Sequence, residues 1–185
     1  MDKLEISNYY NTISRSYNEL YGEEQVQKYK ATLNKDILHR SNVILDLGMG
    51  MGNLVRYLDE TSKRHIYFIG IDISIQLVRM APQSTTYIYT DYLICDAEDP
   101  PIRLDKVDIV TSYTVAHHFN NPFKVIEGCL MNGVEVVIFT FLGWELEELT
   151  KNIRTVMENL PSNNKYDIGI DYYKKREIIL VLKRR

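Results

Sequence analysis

The feature that most constrains this chain is a short apolar run that leads directly into three closely spaced glycines. Residues 43–47, Val-Ile-Leu-Asp-Leu, are typical of a parallel strand covered on both faces. Gly48, Gly50 and Gly52 follow at alternate positions, where they allow positive φ angles and leave no Cβ between the backbone and a ligand. Residues 53–58 have helical spacing, so the pattern predicts a strand, a tight turn and a helix whose free N–H groups face the turn.

Composition narrows the class of protein. With 185 residues and 45% hydrophobic content, residues 1–185 are predicted to form one domain with a sizeable core. A net charge of −3 gives the protein as a whole no electrostatic reason to coat nucleic acid or anionic lipid. Cys95 and Cys129 are too few for a disulfide framework or a zinc cluster. Without a signal-peptide core or a run of about 18 apolar residues, we expect a soluble cytoplasmic protein with no membrane partner and no metal.

Strand-like and helix-like patterns alternate along the chain. Two helices, with a break near Gly22, are predicted within a helical cap at about residues 7–39. Strands are predicted at 43–47, 66–72, 86–95, 107–112 and 134–141, with helices at 53–62, 74–81, 122–131 and 146–160, and a final antiparallel hairpin at 165–170 and 177–182. The alternation predicts a doubly wound, three-layer, Rossmann-like α/β fold of about seven strands, mostly parallel, with an antiparallel C-terminal hairpin.

Acidic residues stand at the ends of the first three predicted strands. Since ligands bind at the carboxyl ends of strands in such folds, Asp46, Asp72 and Asp96 should approach one rim. Asp72 lies 20 residues after Gly52, where a carboxylate accepts both ribose hydroxyls of a nucleoside, and Asp96 is placed to accept from an exocyclic amine. The acid before the glycines disfavours a pyrophosphate and suits a ligand that carries an ammonium. Strand-end aspartates that cap the next helix are the structural alternative.

Four segments in order resemble the motifs of class I S-adenosylmethionine-dependent methyltransferases, in particular the type 11 group. They are Asp46-Leu-Gly-Met-Gly-Met-Gly52, Gly70-Ile-Asp-Ile-Ser74, Cys95-Asp-Ala97 and Asp108-Ile-Val-Thr-Ser-Tyr113. The resemblance covers roughly residues 17–141 and implies S-adenosylmethionine as the cofactor. Met49 and Met51 depart from the smaller residues and the threonine that the family often carries there.

The resemblance also implies a role for individual residues. Around the methionine end these are Asp46 for the ammonium, Gly48, Met49 and Gly50 along the loop, Ser112 through its backbone and Tyr17 as a shield. Around the adenosine end they are Asp72 for the ribose hydroxyls, Ile73 on the adenine face, and Asp96 with the Ala97 backbone at the adenine edge. For Tyr17 and Tyr21, the alternative is an amphipathic helix that buries its aromatic face.

The acceptor is less constrained than the cofactor. His117 and His118 follow the fourth strand, where either could act as a base or as a hydrogen-bond partner of the substrate, although helix capping and a structural hydrogen bond are alternatives. The basic groups 174–176 and 183–185 are predicted at opposite ends of the hairpin, which argues against one RNA-binding patch. We expect a methyltransferase acting on a small or medium-sized acceptor. An RNA or protein methyltransferase and a non-catalytic cofactor-binding subunit remain alternatives, and the oligomeric state is open.

Overall fold

The strands form one mixed sheet in a computed structural model, which describes residues 2–162, 164–174 and 176–185. Within those residues the order of the seven strands is β3-β2-β1-β4-β5-β7-β6, with β1 to β5 parallel and β7 antiparallel to both of its neighbours. The bounds are β1 Val43–Leu47, β2 Ile66–Asp72, β3 Ile88–Ile94, β4 Ile109–Ser112, β5 Val136–Leu142, β6 Tyr166–Tyr173 and β7 Glu177–Arg184. The predicted doubly wound sheet with an antiparallel end is therefore confirmed.

Helices cover both faces of this sheet and give the three expected layers. Their bounds are α1 Lys3–Ile13, α2 Tyr17–Thr32, α3 Lys35–His39, α4 Asn53–Thr61, α5 Ile75–Met80, α6 Pro122–Met131 and α7 Leu146–Asn159. Buried side chains of α2, α3, α4 and α5 pack in one core cluster, and those of α6 and α7 pack in another. In β1 the side chains of Ile44, Leu45 and Leu47 are fully buried, as expected for a strand between two helical layers. No helix in the described ranges is long and apolar enough to cross a membrane.

The predicted break near Gly22 is wrong. Gly22 lies inside α2, and the chain instead breaks at a single 3₁₀ turn, Ser14–Ser16, between α1 and α2. The exposed Asn18 side chain, one turn earlier in α2, packs over Gly22, since a Cβ at this position would lie 2.3 Å from its Oδ1. The helical region also starts before residue 7. Asp2 caps α1 by accepting from the N–H of Glu5 at 2.8 Å, and the Glu5 side chain accepts from the N–H of Asp2.

The C-terminal hairpin places its turn at the ligand-binding rim of the sheet. Glu177 pairs with Leu142 at the carboxyl end of β5, whereas Lys183 pairs with Val136 at the amino end. The two basic groups therefore lie at opposite ends of the hairpin, as predicted, with Lys175 outside the described residues. The turn is thus positioned to contribute to the site.

The glycine loop after β1 is tied to the neighbouring strand. Gly48, Gly50 and Gly52 have φ angles of +77°, +58° and +74°, in the left-handed region. The N–H groups of Gly48 and Met49 both donate to the carbonyl oxygen of Ile71, at 2.8 and 2.9 Å. The loop consequently turns at the tip of β2, where the second acid stands.

We expect Gly50→Ala to lower the free energy of unfolding by about 1–3 kcal/mol, because it forces a side chain into a positive φ. Its Cβ would also lie 3.0 Å from the Tyr17 hydroxyl oxygen. Gly128→Ala is the matched control, since Gly128 lies in α6 with nothing within 4 Å of the added Cβ. It should be neutral or stabilise by about 0.5–1 kcal/mol. Urea unfolding of both variants measures this, and equal destabilisation would contradict the role assigned to the loop.

Candidate functional site

A cleft opens at the carboxyl rim of the sheet, beside the glycine loop. It contains about 520 Å³ of space, part of which is open to solvent. Seven of the residues predicted for the site line it: Tyr17, Gly48, Asp72, Ile73, Asp96, Ala97 and His118. The other lining residues are Lys3, Ile6, Tyr10, Leu77, Thr114, Val115 and Phe119. The sheet topology thus brings together side chains from five separate parts of the chain.

Asp72 connects the glycine loop to the helix that follows β2. One carboxylate oxygen accepts from the N–H of Gly50 at 2.8 Å and the other from the N–H of Ser74 at 2.8 Å. Ser74 in turn caps α5 by accepting from the N–H of Leu77 at 3.2 Å. Burial raises the pKa of Asp72 to about 6, against the opposing effect of these N–H donors. Asp72 is therefore both a brace and a partly charged group at the cleft wall.

Asp46 lies beneath the loop and outside the cleft lining. Its carboxylate accepts from the Thr111 hydroxyl at 2.6 Å. Burial raises the pKa of Asp46 to about 7, and the nearby charge of Asp72 adds to the shift, while the Thr111 hydrogen bond opposes it. Two buried carboxylates side by side favour a ligand that brings positive charge.

Three further predicted residues, Met49, Gly50 and Ser112, are near the cleft without lining it. The Met49 side chain is buried against Gly70, where an added Cβ would lie 2.0 Å from the Met49 sulfur. The departure from the family pattern at Met49 is therefore accommodated by a glycine on β2. Within the described residues the Ser112 hydroxyl is buried without a hydrogen-bond partner.

Helix α1 covers the end of the cleft at which the second and third acids stand. The Ser7 hydroxyl donates to the carbonyl of Ile73 at 3.0 Å, and Oδ1 of Asn11 accepts from the Ser74 hydroxyl at 2.8 Å. Lys3 pairs with Asp96 at 3.1 Å and with Glu98 at 2.5 Å. Lys3 is a site residue that sequence reasoning missed, because it lies 93 residues from Asp96 in a segment without a motif.

The two histidines face different cavities. His118 lines the cleft, and its Nε2 lies 2.9 Å from the Tyr10 hydroxyl. Burial, followed by the charges of His117 and Lys3, lowers the pKa of His118 to about 4. His117 instead borders a second cavity, and burial lowers its pKa while Glu177 opposes the shift. Both imidazoles are therefore neutral near pH 7, so each retains one nitrogen that can accept a proton.

Tyr17 lies over the loop, and a hydrogen-bond chain fixes its position. Its hydroxyl accepts from Nε2 of Gln25 at 3.1 Å, and Oε1 of Gln25 accepts from the amide of Asn53 at 2.9 Å. Burial raises the pKa of Tyr17, so the phenol stays protonated.

Among the described residues no group of three or more His, Cys, Asp or Glu side chains is arranged to hold a metal ion.

Residues 45–130 match the sequence model of a family described as "Methyltransferase domain". The malonyl-[acyl-carrier protein] O-methyltransferase of Marinomonas sp. (strain MWYL1) is 26% identical over an alignment of 153 residues that covers 80% of this chain. The chain spans 56% of the length of that relative.

Two solved structures share the fold over nearly the whole chain. Magnesium protoporphyrin IX methyltransferase from Synechocystis PCC 6803, with bound S-adenosylmethionine, has a TM-score of 0.69 and 18% identity, covering 100% of this chain and 98% of that one. A plantazolicin methyltransferase in complex with a pentazolic substrate analogue and S-adenosylhomocysteine has a TM-score of 0.70 and 13% identity, covering 94% and 90%. At these identities the likeness concerns the fold.

We predict that the buried Asp46 makes the free protein less stable as the pH rises from 5 to 8. The folded state keeps this proton up to about pH 7, whereas the unfolded state releases it near the ordinary aspartate pKa of 3.8, so its stabilising effect is lost as the pH rises. Relative to the neutral isostere Asp46→Asn, the wild type should lose about 2 kcal/mol of unfolding free energy across this range. Denaturant titrations at several pH values measure the difference. A difference that does not change with pH would show that Asp46 has an ordinary pKa.

Proposed function

We propose that this chain, whose residues 45–130 match a family described as "Methyltransferase domain", is a class I S-adenosylmethionine-dependent methyltransferase that transfers a methyl group to a small or medium-sized acceptor. The observation that carries the proposal is the joint placement of the glycine loop and Asp72 at one cleft. The groups around that cleft match a ligand that has hydroxyls at one end and positive charge at the other.

The cleft residues fit the cofactor on chemical grounds. Asp72 would accept the ribose hydroxyls, since it stands at the tip of β2 beside the loop. Asp96 and the Ala97 backbone would meet the adenine edge, with Ile73 on its face. At the other end the negative charge of Asp46, acting through the loop, would favour the ammonium. The absence of side chains at Gly48 and Gly50 lets Val115 and Tyr17 pack closely on the loop, since an added Cβ would lie 2.3 Å from Val115 and 3.0 Å from the Tyr17 hydroxyl.

The cofactor supplies a methyl group on a sulfonium, so that the acceptor's lone pair forms the new bond while the sulfur keeps the electrons of the old one. The protein's task is then to align the acceptor and to exclude water. Tyr17 and α1 would shield the loop side of the cleft, and His117 and His118 are candidates for taking a proton from the acceptor.

The position of the charges supports a small acceptor over a nucleic acid. Lys183 and Arg184 lie at the amino end of β5 and Lys174 at the carboxyl end, so these residues do not form one basic stripe. Helix α1 also covers one end of the cleft through Lys3, Ser7 and Asn11. The two free cysteines support a reducing compartment such as the cytoplasm.

We expect Asp72→Asn to weaken binding of S-adenosylhomocysteine by about 10- to 100-fold, because one ribose acceptor and the charge are lost. Asp91→Asn is the matched control, since Asp91 is an exposed acid on the neighbouring strand that accepts from the Tyr67 hydroxyl. Calorimetry measures both affinities. If the wild type binds neither the cofactor nor its demethylated product, the proposed function is wrong.

A second measurement identifies the class of molecule that accepts the methyl group. The purified protein is incubated with methyl-labelled S-adenosylmethionine and fractionated cell extract, and label is counted in the small-molecule, RNA and protein fractions. Label in the small-molecule fraction is the expected result. Label confined to RNA or protein would identify a macromolecular methyltransferase, and label in none of the fractions would indicate a cofactor-binding subunit without activity of its own.

A further inference from the structure

A second cavity, with about 450 Å³ of space that is partly open to solvent, adjoins the cofactor cleft at the ends of β4 and β5. The two cavities share Tyr10, Tyr17 and Thr114 in their walls, so a ligand in one lies next to a ligand in the other. The remaining wall residues of this second cavity are Tyr21, Glu24, Gln25, His117 and Leu142.

The charge at this cavity is centred on a buried lysine. Lys28 in α2 is fully buried and pairs with Glu177 in β7, with Glu24 at 2.9 Å and with the Thr114 hydroxyl at 2.7 Å. Two carboxylates thus share one ammonium, which leaves an excess negative charge. Glu177 is 2% exposed, whereas the Glu24 side chain is 42% exposed and forms part of the cavity wall. The unbalanced charge is therefore accessible at Glu24.

Thr114 contacts both Lys28 and Glu177 through its hydroxyl, and its own backbone conformation is strained. It is a non-glycine residue with a φ of +58°, and its N–H donates to the Thr140 hydroxyl at 2.6 Å. Its own hydroxyl lies 3.2 Å from a carboxylate oxygen of Glu177. Strain of this kind persists only where the surroundings over-determine it, and it concentrates at functional sites.

Tyrosine rings also line this cavity, and Tyr17 and Tyr21 lie on the same helix, α2, as Glu24. The ring centroids of Tyr10 and Tyr17 are 6.2 Å apart, those of Tyr17 and Tyr21 are 5.1 Å apart, and Tyr9 packs edge-on against Tyr10 at 5.2 Å. The faces of such rings attract cations. No lysine or arginine of the described residues lines this cavity. The nearby Lys174 is exposed, so its charge is screened by water.

We propose that the second cavity is the acceptor site and that its acceptor is a compact organic amine. This inference rests on the proposed function and deepens it. The ammonium form is attracted by Glu24 and by the faces of Tyr17 and Tyr21. An acceptor carboxylate would meet the same negative charge with no free cation to balance it.

In the proposed methyl transfer to an amine, His117 is the proton acceptor. The neutral His117 imidazole takes one proton from the ammonium, which frees the nitrogen lone pair. That pair forms the new N–C bond as the S–C bond breaks and its electrons stay on sulfur. The product is the methylated ammonium together with neutral S-adenosylhomocysteine, and His117 returns its proton to water.

The test is a panel of one- and two-ring probes, each supplied as a matched amine, alcohol and carboxylate. Binding is measured by calorimetry on protein saturated with S-adenosylhomocysteine, and turnover is measured with labelled S-adenosylmethionine. Amines are expected to bind at least tenfold more tightly than their matched carboxylates and alcohols, and only amines should be methylated.

Glu24→Gln should weaken amine binding by about tenfold or more, with unchanged affinity for S-adenosylhomocysteine. Glu23→Gln is the matched control, since Glu23 is the neighbouring exposed acid and does not line the cavity. Tyr21→Leu is a second variant at a partly exposed position. It should weaken amine binding several-fold through loss of the ring face, even if Glu24→Gln proves unstable.

Carboxylates or alcohols that bind as well as the amines, or no amine that binds at all, would overturn the assignment while leaving cofactor binding intact. Unchanged amine affinity in both variants would overturn it as well. Failure of the wild type to bind S-adenosylhomocysteine would overturn the proposed function and this inference together.

Discussion

The site depends on the way in which the Asp72 carboxylate is shared between two backbone N–H groups. One comes from the loop after β1 and the other from the turn before α5, so a single side chain fixes the distance between two neighbouring βα units. The loop itself can turn there only because its glycines accept positive φ angles. Tyr17, the cap of α5 and the contacts of α1 are all placed relative to this brace. A change at Asp72 is consequently a change in architecture as well as in charge.

The rim of the sheet has two regions that differ in how their buried carboxylates are balanced by positive charge. Asp46 and Asp72 are buried close together with raised pKa values, so the cleft gains by taking up a cation. At the second cavity the ammonium of Lys28 is already present, and two carboxylates compete for it. Among the described residues neither Asp46 nor Asp72 is paired with a basic side chain, whereas the second region holds an ion pair with one carboxylate in excess.

Sequence reasoning recovered the parts of the structure that are governed by local pattern. The strand bounds from β1 to β5, the Ser74 cap and the rim position of the acids follow from periodicity and from the rules for parallel sheets. It failed at Gly22, because the local pattern does not distinguish a glycine inside a helix from one that ends a helix. It also missed Lys3 and Lys28, whose partners lie far away in the chain and are brought near only by the completed fold.

Tyr10 belongs to the walls of both cavities and is carried by α1, which is held by side-chain contacts to Ile73, Ser74, Asp96 and His118. Any displacement of that helix therefore changes both compartments at the same time. The two cavities are thus coupled through a helix that lies outside the sheet, so a substitution in α1 that leaves the rim intact would still alter the walls of both.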